Sequence, residues 1–326
     1  MSRSEHSSPL IETVGLKKYF HIDAGQLHAV DDISLSISPG ETLGLVGESG
    51  CGKSTFGRAL LRLIEPTAGQ VFYKGEDILK LDKAGMKQKR REMQIIFQDP
   101  YSSINPRMSV AEIIAEYLIV NKVYEARQEA FNHAAKLMDI VGLARRFANS
   151  YPHELDGGRR QRIGIARALS LNPEFIVCDE PVSALDVAIQ AQILNLLMDL
   201  QDEFGLTYLF ITHNLSVVKH ISTEIAVMYL GQCVEKASTD ELFENSLHPY
   251  TRALIASIPY PDISMRTREV ELIRGEVTSP IDPPPGCRFA PRCEQVMDIC
   301  RNVTPLLKKT SGEGADDHLV ACHLYS

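Results

Sequence analysis

No stretch of this chain approaches about 18 consecutive apolar residues, so no membrane-spanning helix is expected. The first residues include no apolar core of the kind a secretory signal carries, so none is expected. Basic residues are not in excess: 34 Lys and Arg stand against 42 Asp and Glu, a formal net charge of −8. That balance argues against a nucleic-acid binder. The run Lys87-Gln88-Lys89-Arg90-Arg91 reads as a solvated helix face. No internal repeat of about 20–50 residues is present, which excludes a repeat array. The cysteine-bearing tail lacks the tight C-x₂₋₄-C pair of most zinc sites. What the chain does have is bulk. With 326 residues and 44% hydrophobic content it can bury a full core, as one large domain plus an extension.

The strongest local pattern is Gly47-Glu48-Ser49-Gly50-Cys51-Gly52-Lys53-Ser54, a complete G-x-x-x-x-G-K-[ST] phosphate loop. Apolar Leu43-Gly44-Leu45-Val46 before it predicts a buried strand, and Ser54 to Leu61 after it predicts a helix. The phosphates then meet a helix N-terminus, where N–H groups and the dipole favour an anion. Gly47, Ser49, Gly50, Cys51, Gly52, Lys53, Ser54 and Thr55 are the expected phosphate-binding residues. Lys53 suits the β- and γ-phosphates, and the Ser54 hydroxyl suits Mg²⁺.

Further along, Phe175-Ile176-Val177-Cys178 ends in Asp179-Glu180, a buried strand with two carboxylates at its C-terminal end, where such sheets bind ligands. Asp179 suits the Mg²⁺ shell, and Glu180 suits polarising the attacking water. Tyr208-Leu209-Phe210-Ile211 predicts another strand, ending in Thr212-His213, and His213 is expected at the γ-phosphate. Gln98 follows Gln94-Ile95-Ile96-Phe97 and can reach Mg²⁺ or the lytic water. Lys53, Gln98, Glu180 and His213 are the expected catalytic set, and Ser54, Gln98 and Asp179 the expected Mg²⁺ ligands.

The order Gly47–Ser54, Gln98, Leu155–Gln161, Asp179-Glu180, Ser183–Asp186, His213 resembles the ATP-binding subunit of ABC transporters over roughly three-quarters of the chain. That resemblance implies an α/β P-loop core: a RecA-like mixed sheet, an antiparallel β subdomain and an inserted helical subdomain. It also implies an aromatic ring stacked on adenine; Phe20 is the expected one, with Tyr19 close behind. Three stretches narrow the match to the oligopeptide and dipeptide importer branch: Gln98 to Arg107, Cys178 to Asp186, and His248-Pro249-Tyr250-Thr251-Arg252-Ala253-Leu254. The wording is closer to the ATPase subunit usually lettered F. Nickel importers share the architecture. The resemblance implies a peripheral protein on the cytoplasmic face of the membrane that powers peptide import. Its partners are then two transmembrane permeases, a second and different ATPase subunit and, indirectly, an extracytoplasmic solute-binding protein, with no nucleic acid.

The competing soluble ABC ATPases are disfavoured. Repair types insert long coiled coils, and here only about a hundred residues separate Lys53 from Asp156. Translation types carry two modules, and this chain has one.

Leu155-Asp156-Gly157-Gly158-Arg159-Arg160-Gln161 is an altered copy of the family signature Leu-Ser-Gly-Gly-Gln. In the family each ATP lies between one subunit's P-loop and the other's signature. Asp156, Gly157 and Gly158 then face the partner's nucleotide, and Asp156 brings a carboxylate where the family has a hydroxyl donor. Two like charges about 4 Å apart cost roughly 1 kcal/mol in water and more when desolvated. Arg159 can offset that by pairing with Asp156 or with phosphate. Aspartate is also as good an N-cap as serine. The expectation is one weakened composite site, opposite the partner's nucleotide.

Cys51, Cys178 and Cys233 read as small buried or loop residues. Cys287, Cys293, Cys300 and Cys322 form C-x₅-C-x₆-C-x₂₁-C. Zinc, reduced structural thiols and an iron–sulfur cluster all remain open on spacing alone, and disulfides are disfavoured in a cytosolic protein. The importer resemblance implies a [4Fe–4S] cluster on these four, with His323 a spare ligand. The expected boundaries are an ATPase domain over 1–245, its helical subdomain over about 99–164, and an extension over 246–326. Ser279-Pro280-Ile281-Asp282-Pro283-Pro284-Pro285-Gly286 reads as a stiff connector.

Overall fold

A computed structural model describes residues 8–258, 278–310 and 318–325. The polar stretch Ser2 to Pro9, expected to be loose, lies mostly outside these residues. The chain forms two compact units. One comprises Met1–Ile37, Glu41–Leu79 and Thr212–Ser326; the other comprises Ser38–Gly40 and Lys80–Ile211.

In the first unit, strands Ile11–Ile22 and Gly25–Ile33 pair antiparallel, and Ala68–Tyr73 pairs on the other side of Ile11–Ile22. The alternation from Ile11 to Ile37 in the sequence predicts antiparallel strands here. The strand Thr42–Val46 is buried at all five positions and runs parallel to Glu224–Tyr229. Full burial explains its unbroken apolar run. The helix Leu215–Ile221 packs so closely on this strand that a Cβ built on Gly44 would lie 2.5 Å from Val218 Cγ1 and 2.6 Å from Ser222 Oγ.

One expectation needs correction. Ile225 to Lys236 reads as a single strand, but the structure folds it into a hairpin, Glu224–Tyr229 against Gln232–Ser238. Leu230 and Gly231 have φ of +43° and +83°. Two successive left-handed residues make the turn that matches strand twist. Leucine gave no turn signal, which hid the reversal. From Gln232–Ser238 the sheet continues into the extension through Leu319–Val320 and Lys308–Lys309.

In the second unit, Met93–Ile96, Phe175–Asp179 and Thr207–Ile211 form a parallel sheet. Helices Val110–Val120, Arg127–Ile140 and Gly157–Leu169 bury Ile113, Ile114, Leu118, Leu137, Met138 and Ile163. Ser109 and Glu112 form a capping box that starts the first of these helices. Helix Val187–Phe204 starts three residues earlier than Gln190, where the apolar periodicity places it, because Asp186 caps it. Among the described residues no helix is long and apolar enough to cross a membrane. The α/β class is as expected.

The tightness at Gly44 gives a direct test. Gly44→Ala overpacks the interface with Val218 and Ser222 at a cost of about 1–3 kcal/mol. The expected outcome is a melting temperature lowered by several degrees in a thermal scan.

Candidate functional site

The phosphate loop connects Thr42–Val46 to the helix Lys53–Leu60. Gly52 is the N-cap, at φ 105°, and offers no side-chain cap. A Cβ on Gly47 would lie 2.1 Å from Met228 O, and one on Gly52 1.9 Å from Ala29 O. Both clashes are with backbone, so only glycine passes. Lys53 is 5% exposed. Its Nζ donates to Gly47 O at 2.7 Å and Glu48 O at 2.9 Å, with Cys51 Sγ at 3.8 Å. Burial pushes the Cys51 thiol up, and the nearby Lys53 only partly offsets this. Ser54 and Thr55 occupy the first turn of the helix, half-buried, while Ser49 and Gly50 are exposed at the loop tip.

In the same unit, Phe20 lies under the Lys18 ammonium, 4.8 Å from ring centre to Nζ. Tyr19 is otherwise engaged: it stacks on His28 at 4.0 Å and donates its hydroxyl to Asp31. Burial opposes the Asp31 charge, but the Tyr19 hydroxyl and the Arg288 guanidinium hold its carboxyl below the usual carboxylate range. His213 is exposed, just before the Asn214 N-cap of helix Leu215–Ile221.

In the second unit, Asp179 is fully buried at the end of its strand. Glu180 follows with φ +48°, a conformation that costs a non-glycine residue about 1–3 kcal/mol. Backbone hydrogen bonding holds it there. Its N–H donates to Ile211 O at 2.9 Å, and its carbonyl accepts from Ser183 Oγ at 3.1 Å. The Gln98 side-chain amide donates to Glu180 Oε2 at 2.9 Å. The structure therefore brings together two of the four expected catalytic residues, Gln98 and Glu180.

In the altered signature the aspartate is bonded within its own turn. Asp156 caps the helix Gly157–Leu169, Oδ1 accepting from Arg159 N–H at 2.8 Å. Its Oδ2 accepts from Arg159 Nη1 at 2.7 Å. Both readings of Asp156, as a cap and as Arg159's ion-pair partner, hold at once, and both carboxylate oxygens are engaged. A Cβ on Gly158 would lie 2.7 Å from Ile189 Cγ2, so the helix start is closely packed.

Cys287, Cys293, Cys300 and Cys322 line one small cavity with His248 and Phe289. Burial pushes the Cys287 thiol up to about 11 and raises those of Cys293 and Cys322. His323 Nε2 donates to Val303 O at 2.8 Å. Four thiols around one space are the donor set of a [4Fe–4S] cluster. The enclosed space of about 10 Å³, however, is only about that of one water. Among the described residues, no three His, Cys, Asp or Glu side chains converge to hold a metal ion. A cluster needs more room than this arrangement leaves. Cys51, Cys178 and Cys233 are buried, as expected.

Three residues at the phosphate loop went unassigned at the sequence level. The Glu48 N–H donates to Tyr250 Oη at 2.9 Å, and the Arg292 guanidinium forks onto the Glu48 carboxylate at 3.0–3.2 Å. Tyr250 occurs in a stretch that marked the family resemblance and Arg292 lies directly before Cys293, but no local pattern links them to a loop some two hundred residues away.

The chain is similar to known proteins along most of its length. Residues 30–183 match the ABC transporter family model, and residues 234–300 match that of the oligopeptide/dipeptide transporter C-terminal region. The chain is 49% identical over 326 residues to the oligopeptide transport ATP-binding protein AppF of Bacillus subtilis, covering 97% of this chain and 98% of that one. It is 46% identical over 324 residues to the dipeptide transport ATP-binding protein DppF of Haemophilus influenzae, covering 98% and 97%. Among solved structures, a dimeric ATP-binding cassette bound to ADP and Pi aligns with a TM-score of 0.64 at 29% identity, covering 70% of this chain and 98% of that one.

The Gln98–Glu180 pair defines the chemical test. Glu180→Gln keeps the shape and exchanges the carboxylate for an amide; the expected outcome is ATP hydrolysis lowered on the order of 10²-fold or more while nucleotide binding persists. Phosphate release and titration with a fluorescent nucleotide measure the two separately.

Proposed function

The chain belongs to the ATP-binding proteins of ABC transporters and is an ATP-hydrolysing subunit, and from that premise we propose that it powers the import of di- or oligopeptides. The observation that carries this reading is the match of residues 234–300 to the oligopeptide/dipeptide transporter C-terminal region. The names of the two relatives support it. The chain then works on the cytoplasmic face of the cell membrane, joined to two permeases and a second, different ATPase subunit, and supplied by an extracytoplasmic solute-binding protein. Residues 1–245 form the ATPase domain, with a helical subdomain over about 99–164, and 246–326 form the extension.

In this reading the P-loop amides from Ser49 to Thr55 and the Lys53 ammonium neutralise the β- and γ-phosphates. Ser54, Gln98 and Asp179 hold Mg²⁺. Glu180 polarises the attacking water, and His213 contacts the γ-phosphate. Phe20 stacks on adenine, because Tyr19 is already engaged with His28 and Asp31. Cys287, Cys293, Cys300 and Cys322 take a structural [4Fe–4S] cluster; when bound, it would cross-link the extension through four thiolates.

The two composite sites are unequal. A signature serine donates a hydrogen bond to the γ-phosphate. Asp156 has no proton to give, and Arg159 engages both of its oxygens. The ATP held by this chain faces the partner's signature, whereas the partner's ATP faces Asp156 and turns over slowly.

The first test is mass spectrometry of the proteins that co-purify from native membranes in mild detergent, kept anaerobic, with bound iron and sulfide assayed in parallel. Two permeases and a different ATPase are the expected companions, with about four irons per chain. Recovery of the chain alone from the soluble fraction would refute the importer reading. A second test restores the donor: Asp156→Ser should raise turnover at the partner's site several-fold in a complex whose other site is inactivated. An unchanged rate counts against the asymmetry.

A further inference from the structure

The extension grips the nucleotide loop. The peptide between Gly47 and Glu48 is held from both sides. Its N–H donates to the buried Tyr250 Oη at 2.9 Å, and its carbonyl, Gly47 O, accepts from Lys53 Nζ at 2.7 Å. The N–H and C=O of one trans peptide point in opposite directions, so the Tyr250 hydroxyl and the Lys53 ammonium lie on opposite sides of one rigid plane. The Glu48 side chain is fixed as well. Arg292 gives its carboxylate three hydrogen bonds of 3.0–3.2 Å, and the guanidinium side is only 6% exposed. A bidentate, largely buried pair of this kind sets position as well as charge. Two residues before Lys53, Cys51 O accepts from Gly231 N–H at 2.8 Å.

The anchors are themselves stiffly mounted. Tyr250 is 0% exposed and packs on Tyr229 at 4.7 Å and Phe289 at 5.4 Å. Arg292 closes the short turn Ala290–Arg292, directly before Cys293. Of the walls of the cysteine cavity, Cys293 is thus the sequence neighbour of Arg292 and Phe289 the packing partner of Tyr250.

We propose that Tyr250 and Arg292 are positioning residues for nucleotide binding, through which the C-terminal extension orients the Gly47–Glu48 peptide and hence the Lys53 ammonium. The extension is then part of the ATP-binding machinery and more than a companion domain. This inference rests on the P-loop as the ATP site and is independent of the transported solute. Neither residue touches nucleotide. Each acts by removing conformations of the loop in which the Lys53 amine is misdirected.

The test is equilibrium binding of a fluorescent ATP analogue with Mg²⁺ to the full chain, alongside ATP turnover in the assembled complex. Tyr250→Phe keeps the buried ring and removes only the hydroxyl. It should raise the analogue's Kd about 3- to 10-fold. Arg292→Gln should raise it about 10-fold, and Arg292→Lys, which keeps the charge but not the fork, by less. In turnover the KM for ATP should rise with kcat held within about twofold, a split that general loss of structure does not produce. Lys53→Ala serves as the reference. If it abolishes binding while Tyr250→Phe and Arg292→Gln bind like wild type, the positioning role is overturned and the P-loop reading stands. If Lys53→Ala itself binds normally, both fall. Should Arg292→Gln fail to fold, Tyr250→Phe decides alone, since its packing is unchanged.

Discussion

A buried ammonium must have acceptors, and Lys53 finds them in the carbonyls of Gly47 and Glu48. That requirement shapes the whole loop. The backbone has to curl around its own lysine while passing within contact of Met228 O and Ala29 O. No side chain fits at those crossings, so glycine is imposed by neighbours in other strands as much as by phosphate. The loop's geometry therefore depends on the antiparallel strand that carries Ala29 and the parallel strand that carries Met228.

A different constraint governs the acidic end. Glu180 leaves its strand in a left-handed conformation that an unbranched glutamate tolerates at a cost. The bonds to Ile211 O and Ser183 Oγ keep it there. The turn points the carboxylate at the Gln98 amide instead of along the strand, so the local strain supports a specific hydrogen bond.

The elements whose information is local were legible in the sequence. Thr42–Val46, Phe175–Asp179 and Thr207–Ile211 are buried at every position and read as unbroken apolar runs. The glycine spacing announced the phosphate loop. The hairpin at Leu230 was missed because leucine is not a turn former; Gly231 alone marked the reversal, and the left-handed φ at Leu230 is imposed by the paired strands. The Glu48–Arg292 pair was missed for a deeper reason. Its partners are 244 residues apart, and a glutamate in a loop and an arginine among cysteines each look like ordinary surface charges. Only folding the extension back against the sheet through Leu319–Val320 gives the pair meaning.

Asp156 illustrates how a position in a family signature can also be a helix cap. Its cap bond to Arg159 N–H anchors the helix start, and that duty is satisfied as well by aspartate as by serine. Misfolding quality control therefore cannot distinguish the two. A change from hydroxyl to carboxylate here keeps the cap bond and with it the start of the helix. Signature residues that double as helix caps are in this sense unguarded by stability. A melting curve is blind to a change at such a position, and only the other duties of the signature can register it.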